Sequence, residues 1–376
     1  MKDGTGVSHL PVNETRALAL STLWRCVNLL SDTFATLPFH VYVRSSEGKS
    51  KLQNTAVENL LRLRPNGYQK SYDFRVSVMA KRLLHGNFYA FIQRDNRYRP
   101  VALLPIDGRV VINKVDNELY YTFELDGKEY ELIHQREIFH WKGYSSDGIY
   151  GKSVLTAHRD TLGIGLGAQK ASKEFYDKGA KIDGILTTDN QLKAETVANI
   201  KRQFNAKIAE GERVPLLDNG FKFQQISLNP QDAEYINTQK FNELAIARIF
   251  GVPPHMVGIM DRATWNNVEL LGIEFAKYTM LPLVESFEQE IKTKLFTERE
   301  IDSGHYPKFN LDGLMRADIL TRYRVYQIAV RNGLKSANEC RSLEDEDPYE
   351  GGDQYLVQGN NMVNVKNLEN EQANAE

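Results

Sequence analysis

The sequence predicts an α+β fold, and three observations carry that prediction. Short alternating apolar runs with a sharp turn signal fill residues 87 to 143, after two helical patterns. A small α/β stretch sits between two long helical patterns. The last part of the chain is helical again.

The elements follow in order. NETRALALSTLWRCVNLLSDTFATLP places Ala17, Leu20, Trp24, Val27, Leu30, Phe34 and Leu37 at three- and four-residue intervals. That is the period of one amphipathic helix, and Pro38 ends it. FHVYV alternates as a strand, and a helix over about 71 to 85 stops at Gly86. From NFYAFIQRD to REIFHWKG the pattern is mainly β, with Asp126-Gly127 a type I′ hairpin signal. Residues 1 to 152 thus form an α+β module. The next segment, 153 to 178, is helical in pattern but carries Gly163, Gly165, Gly167, Ala168, Ala171 and Ser172. Each interior glycine costs about 1 kcal/mol relative to alanine, so this helix must recover the loss through close packing.

Residues 179 to 230 read β-α-β-β: strand GILTT, helix KAETVANIKRQFNAKI, and a hairpin through Asp218-Asn219-Gly220. A helix over 231 to 251 follows, with Phe241, Leu244, Ala245, Ile249 and Val252 as its stripe. It stops at Gly251, Pro253 and Pro254. After a polar segment, 252 to 267, a third long helix spans 268 to 297, with Leu271, Phe275, Tyr278, Leu281, Val284, Phe287, Ile291 and Leu295 apolar. Pro282 in its interior predicts a kink. Residues 298 to 353 are chiefly helical, with a turn at Asn332-Gly333 and a capping box between Ser336 and Glu339. The Asn/Glu-rich tail, 354 to 376, predicts disorder.

Composition narrows the functional classes. The 376 residues are 41% hydrophobic and 26% charged, with a net charge of −2, so no basic surplus marks a tight nucleic-acid binder. Cys26 and Cys340 predict free thiols rather than a disulfide framework. No apolar run reaches membrane length and MKDGTGVSHL has no signal-peptide core, which predicts a soluble protein without a membrane partner. Motifs for catalysis fail on inspection. YGKSV ends like a phosphate-binding loop, but Ser146 stands where the first glycine belongs, so a helix start after a turn is the reading. GIGLG lies inside a helical pattern and predicts helix packing rather than dinucleotide binding. His134 and His140 lack partners at metal spacing and read as partly exposed sheet histidines. Glu344-Asp345-Glu346-Asp347 reads as a solvated helix end, since adjacent carboxylates repel. The sequence therefore predicts no catalytic residue, metal or cofactor.

Several strings, taken together and in order over residues 13 to 353, resemble the portal proteins of tailed bacteriophages, of the large siphophage-type family. They are WRCVNLLSDTFATLPFHVY, RPN, HGNFYAFIQRD, LLPID, EIFHWKG, YGKSVL, KGAKIDGIL, RVPLLDNGFKF, ARIFGVPPHMVG and TWNNVE. The end of the series is LKSANECRSLEDEDPYEGGD, with Asn338-Glu339-Cys340-Arg341 and Gly351-Gly352-Asp353. The resemblance implies a ring, usually of twelve subunits, at one capsid vertex of the virion, assembled in the host cytoplasm. Double-stranded DNA passes through it, and terminase, a head-tail connector or adaptor, and major capsid and scaffold proteins are its partners.

It also implies a division of the chain. Residues 1 to 152 would be a wing, 153 to 178 and 231 to 251 two stem helices, and 179 to 230 a clip. Residues 252 to 267 would be a tunnel loop, 268 to 297 a long helix bordering the channel, and 298 to 353 a crown. In the loop, Asp261, Arg262, Trp265, Asn266 and Asn267 are candidates for facing DNA, with a solvated helix connection as the bland alternative. Lys201, Arg202, Lys207 and Glu210 of the clip helix would meet terminase or connector, or form a merely solvated face. Two other classes remain open: a metal-dependent DNA-processing enzyme, and a different capsid or head-completion scaffold.

Overall fold

A computed structural model describes residues 12–46, 48–177, 184–187, 195–199, 202, 222–225, 231–259, 268–315, 319–344, 346–358 and 362–364. They fall into two compact units, each gathered from three separated stretches. The first comprises residues 1–29, 78–88 and 142–259; the second comprises 30–77, 89–141 and 260–376. No helix of the described residues is long and apolar enough to cross a membrane.

The predicted N-terminal helix is two helices, Glu14–Ala17 and Ser21–Thr36. Between them the amides of Ala19 and Leu20 bond three residues back, to Arg16 and Ala17, at 3.1 and 3.0 Å. These tighter bonds break the α-helical register. The inward face of the second helix therefore carries Leu23, Cys26, Val27, Leu30 and Phe34, and Trp24, expected inside, is 52% exposed. In the first unit the helix Arg159–Asp177 packs on the helix Gln231–Ile249. A methyl group on Gly165 would lie 2.3 Å from Nδ2 of Asn242, so this glycine leaves room for the Asn242 side chain between the two helices. The buried face of the second helix is Asn242, Ile246, Ala247 and Phe250. Phe241, expected on that face, is instead 64% exposed under the guanidinium of Arg248. Strand Gly184–Thr187 pairs antiparallel with Lys222–Gln225, Gly184 opposite Gln225. The hairpin expected at Asp218-Asn219-Gly220 lies outside the described residues.

The second unit is built on antiparallel strand pairs. Strand β1 (Phe39–Ser45) pairs with β2 (Gly48–Leu52) and, across the sequence, with His305–Phe309, Phe39 opposite Phe309. Strand β3 (Asn87–Arg94) pairs with β4 (Pro100–Pro105) and lies beside Ile138–Lys142. Val111–Val115, Glu118–Leu125 and Lys128–His134 form a meander. Its second turn is the predicted one, with Asp126 and Gly127 at φ 52° and 75°. The first turn uses Asp116 and Asn117 at φ 49° and 67°, the same left-handed pair without a glycine. The core is aromatic: Phe34 lies 5.1 to 5.5 Å from the rings of Trp141, Phe287 and Phe309.

The predicted long helix is interrupted. Val268–Glu274 is α-helical, Phe275–Met280 forms a π-helical turn, and Leu281–Leu295 resumes α. Pro282 has no N–H for the carbonyl four residues back, so the disturbance falls before it. The Leu281 amide bonds to Ala276, five residues back. Pro282 itself sits in the first turn of the new helix, where its missing donor costs little. The extra residue rotates Tyr278 out to 69% exposure, although the sequence period places it inside.

Candidate functional site

The helix Gln231–Ile249 stops by a complete set of backbone bonds. Val252 N–H reaches Ala247 O at 3.0 Å and Gly251 N–H reaches Arg248 O at 3.1 Å, with Gly251 at φ 64°. This six-to-one and five-to-two pairing satisfies the end carbonyls, and Val252, the residue after the cap, is buried. Pro253 and Pro254 then forbid any return to the helix. Pro254–Val257 makes one 3₁₀ turn, closed by Gly258 at φ 85°, where Ile259 N–H bonds Pro254 O at 3.0 Å. Within the same unit Arg25 Nε donates to Met256 O at 3.3 Å, holding the turn against the N-terminal helix. The helix stop thus falls at Gly251, just before Pro253 and Pro254.

The loop candidates that follow, Asp261, Arg262, Trp265, Asn266 and Asn267, lie outside the described residues, as do Lys201, Lys207 and Glu210. Arg202 is helical and exposed. Among the described residues no three His, Cys, Asp or Glu side chains gather as a metal site. His140, expected to be partly exposed, is buried and shares a 3.1 Å hydrogen bond with Tyr121. Glu344, expected as a solvated helix end, instead takes Arg322 Nη2 at 2.8 Å, Arg322 Nε at 3.0 Å and Tyr326 Oη at 2.6 Å. The acidic cluster is therefore divided, with Glu346 paired to Arg341 at 3.0 Å.

Three polar junctions account for strings that the sequence offers without a role. The first joins HGN to YGKS. Gly86, at φ 77°, accepts the Gly143 N–H at 2.7 Å, while Asn87 receives the Gly151 N–H at 2.7 Å and donates to Gly151 O at 2.8 Å. Ser153 then caps the next helix and donates to Leu84 O at 2.9 Å. Burial beside this junction pushes the Arg82 guanidinium down to about 10. Asp147 in the adjoining loop accepts from Ile149 N, Tyr150 N and Ser145 Oγ, which hold its carboxyl down to about 2.

The second junction is RPN, in the other unit. Buried Asn66 donates to Leu103 O at 3.0 Å and accepts from Gln69 N at 2.8 Å, while Leu103 N–H bonds Pro65 O at 2.7 Å, tying this turn to LLPID. The third is NECR with EGGD. The Asn338 side chain donates to the Tyr349 backbone carbonyl and accepts from its backbone N–H, both at 3.0 Å, and the Asn338 N–H bonds Gly352 O at 2.8 Å. Glu339 completes the predicted capping box with Ser336. In all three an asparagine amide pairs with backbone, and for Asn87 and Asn66 the sequence signal is a neighbouring glycine or proline, a signal that Asn338, between Ala337 and Glu339, lacks.

The strings with bonds on the page are thus mostly builders of their own unit's scaffold. The phage portal protein family model matches residues 21–345. The portal protein of Enterobacteria phage HK97 is 31% identical over 355 residues, covering 92% of this chain and 83% of that one. A chain in the neck of an empty gene transfer agent particle, computed with C6 symmetry, superposes with a TM-score of 0.64 at 22% identity, covering 89% and 93% of the two chains. One in the neck of the native particle, computed with C12 symmetry, gives 0.58 at 21%, covering 89% and 92%. The chain belongs to the phage portal protein family.

Proposed function

We propose that copies of this chain form a closed ring of twelve at a unique capsid vertex, through which double-stranded DNA is packaged and ejected. Family membership supports a portal role, and related chains occur in particle necks treated with six- and twelve-fold symmetry. The observation that carries the mechanism is the helix stop at Gly251 to Pro254. The segment after it has a fixed point of departure on the first unit. In this proposal residues 1–152 are the wing, 153–178 and 231–251 the stem, 179–230 the clip, and 252–267 the tunnel loop. Residues 268–297 border the channel and 298–353 form the crown.

Asp261, Arg262, Trp265, Asn266 and Asn267 then face the duplex, and Lys201, Arg202, Lys207 and Glu210 take terminase or a connector. The ring is a conduit and not a catalyst. Electron microscopy of the purified protein tests the assembly: rings with a central hole wide enough for duplex DNA are expected, and a monomer at every salt and protein concentration would refute it. Arg262→Ala or Asn266→Ala should lower packaged DNA while rings still form. Equal loss of both would make the loop a structural element instead.

A further inference from the structure

An open groove of about 800 Å³ lies wholly within the second unit. One wall is the end of the helix Ala56–Arg62 with Leu63 and Arg64. A second is Lys70, Ser71 and Tyr72 at the start of the next helix, and a third is the turn after β3, from Asp95 to Val101. Four cations border it: Arg62, Arg64, Lys70 and Arg99. Two are already engaged, Arg99 by Asp95 at 2.7 Å and Arg62 by Glu58 at 3.3 Å. The side chains of Arg64 and Lys70 have no carboxylate partner among the described residues, and both are exposed. The groove is therefore positive on a chain whose net charge is −2.

Between the cations stand apolar side chains in water: Leu63 is 60% exposed, Val101 54% and Tyr72 44%. Tyr72 is fixed there by its hydroxyl, which donates to Asp32 at 2.8 Å. Exposed apolar residues singly are ordinary, but a concave group of them rimmed by unpaired charge of one sign is a binding surface. A nucleic-acid backbone would use the cations and gain nothing from Leu63 and Val101. A peptide carrying carboxylates on either side of an apolar residue would use both.

We propose that this groove docks an acidic, amphipathic peptide segment of another protein, its apolar side chain between Leu63 and Val101 and its carboxylates on Arg64 and Lys70. The groove includes none of the loop residues 252–267, and peptide binding and ring formation are read by different measurements, so either proposal can fail alone. The test uses the full-length protein and a fluorescein-labelled synthetic peptide of alternating Glu and Leu pairs, followed by fluorescence anisotropy. Binding is expected, and Arg64→Glu with Lys70→Glu should weaken it about tenfold, because two exposed ion pairs become repulsions. Leu63→Ser should weaken it by a smaller factor, about threefold, through lost apolar contact. All three side chains are exposed, and unchanged thermal melting checks that the variants fold. An all-Glu peptide that binds as well, a mixed-sequence DNA duplex that displaces the probe, or equal binding by the charge-reversed variant would each overturn the proposal.

Discussion

At the scale of single residues, the tightest constraint is the meeting of Gly86, Gly143 and Gly151. A methyl on Gly151 would stand 1.9 Å from Gly86 O and 2.9 Å from Gly143 N, both backbone atoms that no rotamer change can move. Gly151→Ala should therefore destabilise the first unit by more than about 4 kcal/mol, or abolish folding, as read by urea unfolding. Gly148, three residues earlier, is the control: it sits at φ 72° with open space around the same methyl. Gly148→Ala should cost only the left-handed conformational penalty, about 1–2 kcal/mol. A similar loss for both variants would mean that the close approach is not what matters. Asp147 beside it gives a pH signature. Its carboxyl lies below the unfolded range because two amides and a hydroxyl bind the ionised form. The stabilisation it provides is present above the unfolded pKa, about 3.9, and is lost as pH falls through the folded value, about 2. An NMR titration should place its midpoint well below the other exposed aspartates, and Asp147→Asn should flatten the acid dependence of stability in that window.

At the scale of elements, the stop after Ile249 is the device on which the proposed loop depends. Gly251→Ala keeps the residue small but penalises φ 64°, and should cost about 1–2 kcal/mol of stability in a urea melt. Gly251→Asn should cost less, since asparagine enters the left-handed region more readily. If alanine and asparagine behave alike, the backbone angle is not the reason for glycine here. Elements of this kind were legible in the sequence because their causes are local. Gly251 with two prolines, Asp126-Gly127 and the Ser336–Glu339 capping box each act within a few residues, and each stands where expected. What escaped has a non-local or register-dependent cause. The pairing of Phe39 with Phe309 joins segments far apart in sequence, and no pattern in either announces it. Trp24, Phe241 and Tyr278 all satisfy a helical period and all face outward. Three-residue bonds before Ser21 and the π turn before Pro282 shift the faces around Trp24 and Tyr278, and a periodicity count does not register such a shift.

At the scale of the whole molecule, a conduit must attract DNA enough to admit it and too little to hold it. The segment MDRATWNN places one cation, Arg262, directly after one carboxylate, Asp261, so in the proposed ring each copy would offer the duplex a locally neutral loop. A ring would multiply whatever charge one loop carries. Each phosphate neutralised by a cation adds salt-dependent affinity, with a slope of about −0.9 in the logarithmic salt plot for B-DNA. The prediction follows from the pairing of Asp261 with Arg262 in sequence. Native rings should associate with duplex DNA weakly and without sequence preference, with a shallow salt slope. Asp261→Asn leaves the arginine uncompensated in every subunit, so binding should tighten, the slope should steepen, and packaging should slow as the channel grips its cargo. Arg262→Ala should do the reverse to binding. Filter binding of duplex DNA across a salt series, alongside a packaging assay with the same rings, measures all three. A tight sequence-selective footprint of the native protein at physiological salt would sink the neutral-conduit account. So would an Asp261→Asn ring whose affinity and slope match the native one, because the loop would then not meet phosphate at all.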